Sequence, residues 1–159
     1  MTGAASRAAP RPAFVSTPLT AAYWEAAADG VLLLQRCRPA GHVQHYPRGL
    51  CATCWSDDLE WAPAEGTGRV WTFTVVHMPG HPAWSDQVPY VLALVELDEG
   101  PRMMTDIVGV DPADVFVGQR VRLVGASGTV VEQPLLVFAP VGLGPNSRVL
   151  HDGDGLARD

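Results

Sequence analysis

Lysine is absent from this 159-residue chain: all eleven basic residues are arginine, set against seventeen acidic ones for a formal charge of −6. That balance gives little electrostatic attraction for a nucleic-acid backbone. Cysteine is scarce as well, and three thiols cannot pair completely, so a disulfide framework is excluded. No apolar run approaches the ~20 residues that span a bilayer, and no stretch has the apolar core and cleavage site of a signal peptide. A soluble, cytoplasmic protein is the expectation. The loops that carry common chemistries are missing too: there is no G-x-S-x-G elbow, no Walker A loop and no Rossmann fingerprint. The length suits one modest domain, or a small barrel with an appended unit.

The few cysteines are concentrated. Cys37 stands alone, and Cys51 and Cys54 follow as a C-A-T-C knuckle. Two thiolates separated by two residues grip one tetrahedral ion from a tight turn, and a second knuckle upstream supplies the other half of a zinc ribbon. In a regular C-x-x-C the partner of Cys37 falls at position 40, which is Ala40. The fourth ligand then has to be an imidazole from His42 or, alternatively, His45, because neutral histidine replaces thiolate on zinc. The competing reading is three buried thiols in a metal-free hairpin.

Around the ribbon the chain divides into recognisable stretches. Residues 1–16 and 141–159 lack a periodic apolar pattern and are expected as a disordered leader and a flexible tail. A helix is predicted over 18–29, capped by Thr17, with Pro18 in its first turn and Gly30 at its stop. With the lead-in strand it fills 17–34. Leu19, Tyr23, Ala26 and Ala27 share a face with Trp24 beside them, an aromatic edge that packs on the chain itself or docks on a partner. The ribbon occupies 35–64 and is read as a hairpin, with 31–35 running into Cys37 and 43–46 returning. After it, Asp57, Asp58 and Glu60 form an acidic stretch, and Gly66 and Gly68 mark a hinge.

From 65 to 140 the pattern is five short strands broken by turns, over 69–77, 90–97, 102–108, 120–124 and 135–139, with 129–131 extending the fourth or adding a short one. In the first, alternation places Trp71, Phe73 and Val75 on one face. Five strands with a capped turn at Asp111-Pro112-Ala113-Asp114 suggest a mainly β fold, a closed OB-type barrel. Between the first two strands, His77, His81, Trp84, Asp86 and Tyr90 crowd a loop stiffened by three prolines. An acid–base role for His77 or His81 with Asp86 can be drawn there. A rigid aromatic contact surface fits better, since interfaces gain area from such segments at small entropic cost.

Taken together, Tyr23-Trp24, L-L-L-Q-R-C at 32–37, G-H-V-Q at 41–44, Y-P-R, C-A-T-C, the 66–77 strand, H-P-A-W at 81–84 and the segments 88–102 and 108–121 resemble one family. It is the acyl-CoA-associated OB-fold family with an N-terminal rubredoxin-like zinc ribbon, and the resemblance runs from about residue 17 to 140. It implies a non-catalytic accessory subunit that completes a thiolase-fold or hydratase acyl-CoA enzyme, a thiolase or retro-aldolase in sterol or lipid breakdown, with a CoA thioester near the interface. Cys37, Cys51 and Cys54 match its ribbon ligands, and zinc is the implied cofactor. No catalytic residue carries over. Tyr23, Trp24, His77, His81, Trp84 and Tyr90 are the expected partner-facing residues. The alternative function is a single-stranded nucleic-acid module with Trp71 or Phe73 stacking on bases, which the charge disfavours; a third is a free-standing enzyme using the 77–86 loop.

Overall fold

The computed structural model describes residues 12, 15–127 and 134–142, so most of the leader, the tail beyond 142 and residues 129–131 lie outside the described residues. The helix α1 spans Ala21–Ala28, shorter at its start than the sequence suggests. Thr17 closes a preceding turn, its carbonyl accepting from the N–H groups of Thr20 and Ala21, and Thr20 takes the cap position without a side-chain capping bond. Gly30 ends the helix as expected: its φ of +74° is open to glycine at little cost, and its N–H reaches the carbonyl of Ala27.

Two sheets follow. Strands β1 (Leu33–Cys37), β2 (Val43–Gln44) and β3 (Leu59–Pro63) form an antiparallel sheet in the order β2-β1-β3. The hairpin reading therefore lacked a strand. β3 pairs with β1 over five positions, from Leu33 opposite Pro63 to Cys37 opposite Leu59. It hides in the sequence because it is a half-buried edge strand holding a charge and a proline, residues that weaken a strand signal. Glu60 is used across the pair: Arg38 donates to it at 3.0 Å and to Asp58 at 3.1 Å.

The second sheet is the five-stranded closed barrel. Strands β4 (Thr67–Val76), β5 (Tyr90–Leu97), β6 (Arg102–Ile107), β7 (Arg120–Ser127) and β8 (Leu135–Pro140) close in the order β4-β5-β6-β8-β7, with β6 and β8 parallel. The inward row of β5, Val91, Ala93, Val95 and Leu97, meets Val70, Met103, Ile107, Val121 and Phe138 in the core. Thr105 is buried among them because its hydroxyl donates to the Leu136 carbonyl at 2.7 Å, tying β6 to β8. Outside, the Asp98 carboxylate clamps closure by accepting twice from Arg120, at 2.6 and 2.9 Å, and once from Thr67. The Arg120 guanidinium holds that carboxyl down at about 2. The turn at Pro112–Asp114 is a 3-10 turn, with the Asp111 side chain accepting from Ala113 N–H.

One face assignment is corrected. β4 carries a bulge between Val70 and Thr72, which inserts a residue and flips everything after it. Phe73 and Val75 then pack against the core with Val70, while Trp71 points out, 47% exposed, under the Arg102 guanidinium 3.5 Å from its ring centroid. A Cβ added to buried Gly68 would lie 2.5 Å from the Glu96 carbonyl and 2.8 Å from a Val95 methyl. Gly68→Ala is therefore expected to destabilise the barrel by about 3 kcal/mol, the upper end of ordinary overpacking, because the nearest obstacle is backbone. Denaturant midpoints of the two proteins check it.

Candidate metal centre and surrounding surfaces

The two knuckles repeat each other fourteen residues apart. Cys37 N–H donates to the His42 carbonyl at 2.8 Å, and Cys51 N–H to that of Ser56 at 2.8 Å. Likewise Gly41 N–H returns to Cys37 O and Trp55 N–H to Cys51 O, with φ of +68° at Gly41 and +63° at Trp55. Trp55 holds a left-handed conformation that an L side chain adopts at a cost of roughly 1–2 kcal/mol, which marks the turn as constrained. In this correspondence Ala40 stands where Cys54 stands in the second knuckle. The missing position is supplied two residues later, from the site equivalent to Ser56.

Cys37, His42, Cys51 and Cys54 bring one ligand atom each within 4.8 Å of one another. Cys37 Sγ lies 3.5 Å from Cys54 Sγ, and Cys51 Sγ lies 3.5 Å from His42 Nδ1. Tetrahedral zinc at its usual bond lengths separates two sulfurs by about 3.8 Å and a sulfur and a nitrogen by about 3.5 Å, so the four residues fit such an ion. The thiols are already differentiated. Backbone N–H groups of Cys54 and Thr53, helped by His42, draw Cys51 down to about 6, whereas burial pushes Cys37 up to about 11.

His45 lies elsewhere. Its ring packs 5.6 Å from Tyr23 on α1 and 4.2 Å from Tyr46, and both its nitrogens are buried without a hydrogen-bond partner. Burial holds it neutral, with its pKa lowered to about 4. Tyr23, expected to face a partner, is instead 8% exposed inside the chain's own core with Ala27 and Leu34, where burial raises its hydroxyl to about 12. The helix thus turns its aromatic edge inward, leaving half-buried Trp24 at the rim, edge-on to Tyr23 at 5.0 Å.

The remaining surface residues sit on the barrel. The 3-10 turn Pro82–Gln87 starts at His81, whose Nδ1 accepts from Ala83 N–H at 3.1 Å and whose ring meets half-buried Trp84 edge-on at 5.7 Å. His77 is exposed, and among the described residues no hydrogen bond joins His77 or His81 to Asp86. Tyr90 is half-buried and lines an open groove of about 1090 Å³ at the barrel mouth. Of the two residues offered for base stacking, Phe73 packs against the core, and Trp71 points outward with the Arg102 guanidinium on its ring. Among the described residues no helix is long and apolar enough to cross a membrane.

A rubredoxin-like ribbon with a Cys/His cluster, leading into an OB barrel, defines the class as zinc-ribbon/OB-fold proteins. Residues 24–60 match the family described as "ChsH2, rubredoxin-like zinc ribbon domain" and residues 61–126 that described as "ChsH2, C-terminal OB-fold domain". A "DUF35 domain-containing scaffold protein" of Pyrococcus furiosus is 31% identical over 102 residues, 64% of this chain and 74% of that protein. The chain belongs to the ChsH2/DUF35 family. A "probable enoyl-CoA hydratase alpha subunit" of Thermomonospora curvata is 43% identical over 103 residues, 64% of this chain; the match spans only 32% of the hydratase subunit. Among solved structures, a chain of the "Ltp2-ChsH2(DUF35) aldolase" is 39% identical with a TM-score of 0.70, covering 82% of this chain and 98% of that one.

Proposed function

We propose that this chain is a non-catalytic accessory subunit that binds and completes a thiolase-fold or hydratase-type acyl-CoA enzyme, and that its ribbon holds a structural zinc ion through Cys37, His42, Cys51 and Cys54. The observation that carries the reading is the likeness, over 82% of this chain and 98% of the other, to a chain of an aldolase described by two components. Four protein ligands close a tetrahedral site and leave no open position for substrate or water, so the ion acts on structure. Cys37 and Cys51 tie the end of β1 to the second knuckle, and His42 closes the gap left by Ala40. No acid–base pair forms in the 77–90 loop, where His81 spends Nδ1 on Ala83 N–H and stiffens the turn that presents Trp84. The barrel face carrying Trp84 and Tyr90 is the partner side, the CoA thioester lies near that contact, and the partner supplies the reacting groups.

Co-expression with thiolase-fold and hydratase acyl-CoA enzymes of the same source is expected to give a stable complex and raise the partner's activity. Trp84→Ala is expected to weaken that complex by about thirtyfold, the ~2 kcal/mol of an interfacial tryptophan, read by titration of partner with labelled chain. Turnover of an acyl-CoA by the isolated chain, or no association with any such enzyme, overturns the assignment.

A further inference from the structure

We propose that Gln35 and Gln44 are positioning residues for the metal, holding the second knuckle in ligating geometry through side-chain amides that stand in for a missing strand; this rests on the zinc reading above. β2 ends at Gln44, and the chain from there to Cys51 has no strand neighbour to satisfy its backbone. The two glutamines, directly opposite on β1 and β2, fill that role. Gln35 is 5% exposed, and its Oε1 accepts from Arg48 N–H at 2.8 Å while its Nε2 donates to Arg48 C=O at 3.0 Å. The amide thus exchanges two bonds with one residue, as a strand partner does in an antiparallel ladder. Gln44 Nε2 donates to Gln35 Oε1 at 2.8 Å and to the Leu50 carbonyl at 3.3 Å, and Gln44 Oε1 accepts from Ala52 N–H at 2.8 Å.

These bonds reach the segment 48–52, which contains Cys51. Ala52 lies inside the knuckle, between the two thiols, so its tether to Gln44 limits how far Cys51 and Cys54 can swing from Cys37 and His42. Groups that orient metal ligands from behind typically contribute 10–100-fold in affinity, and this pair orients the ligands through the backbone. An apolar residue at either position removes these bonds from the Arg48, Leu50 and Ala52 backbone and loosens the turn.

The test uses the full chain loaded with Co²⁺, whose tetrahedral thiolate absorption reports the site, and follows metal loss to excess chelator. Gln44→Met, which removes the Ala52 acceptor and both donated bonds, is expected to release cobalt at least tenfold faster than the unaltered chain. Gln44→Glu keeps an acceptor for Ala52 and is expected to fall between the two. Thr105→Val, which weakens the distant barrel, is the control and is expected to leave release unchanged. Cobalt taken up normally and released by Gln44→Met at the unaltered rate overturns the positioning role alone. Equal acceleration in Thr105→Val overturns it as well, by reducing the effect to general stability. Failure of the unaltered chain to take up cobalt in a tetrahedral site overturns the zinc reading and this inference with it.

Discussion

Removal of the metal with excess chelator is expected to unfold residues 37–56, the two knuckles with β2 between them, and to leave the barrel folded. The knuckle region has little else to hold it: β2 is two residues long, and Trp55 sits in a strained turn, 75% exposed. Structural zinc in isolated ribbons and fingers contributes an apparent ~10–16 kcal/mol, which exceeds the stability of most small domains. The barrel instead has its own closed hydrogen bonding and a core to which every strand contributes a buried side chain. Cys51→Ala and His42→Ala are expected to reproduce the chelator's effect. A chain carrying Ala40→Cys together with His42→Ala is expected to recover metal binding, because position 40 occupies in the first knuckle the place of Cys54 in the second. Hydrogen exchange of peptides from 37–56, compared with peptides from β5 and β6, reads each case. Equal protection with and without metal would make the cluster three thiols beside a histidine, with no structural ion.

His45 supplies the second large effect, on the pH dependence of stability. In the folded chain its pKa is lowered from 6.5 to about 4 by burial, and both ring nitrogens lack a partner. The rings of Tyr23 from α1 and of Tyr46 beside it are the groups stacked against the imidazole, and burial raises the Tyr23 hydroxyl to about 12, so Tyr23 offers no negative charge to an imidazolium. Between pH 6.5 and 4 the unfolded chain binds a proton that the folded chain refuses, so stability is complete above about 6.5 and falls as pH drops toward 4. A shift of that size amounts to about 3 kcal/mol at pH 4. His45→Phe is expected to flatten that part of the curve and to raise stability at pH 7 by about 1 kcal/mol or more, since the substitution removes two unsatisfied buried nitrogens. Both proteins keep the same cluster, so the difference between their denaturation curves across pH isolates this ring from protonation of the metal ligands. Parallel curves would show that His45 is solvated in the folded state.

Several features were legible in the chain because short stretches encode them. The nearly continuous apolar run over 90–97 specifies β5, and Asp98-Glu99-Gly100 the turn that closes it, since short apolar runs and tight turns depend on neighbours only. Gly30 and Asp111 act as a helix stop and a turn cap for the same local reason. The three thiols at their spacing pointed to a tetrahedral site, and the combined segments to the family. Less visible were Gln35 and Gln44: a polar pair in a strand gives no signal until its backbone partners, up to thirteen residues away, are in place.

What the sequence alone determined is the menu of parts: a ribbon short of one thiol, five barrel strands, an aromatic helix and a surface without a lysine. Which part meets which was left to the tertiary structure. His42 and His45 are both within reach of the cysteines along the chain, but an odd separation sends them to opposite faces of the strand between them, one toward sulfur and one under Tyr23. Tyr23 was turned inward by the hydrophobic contact it makes there, and Trp71 outward by a single inserted residue in β4. Such outcomes follow from packing between segments distant in sequence, where burial and register decide, and no local pattern contains that information.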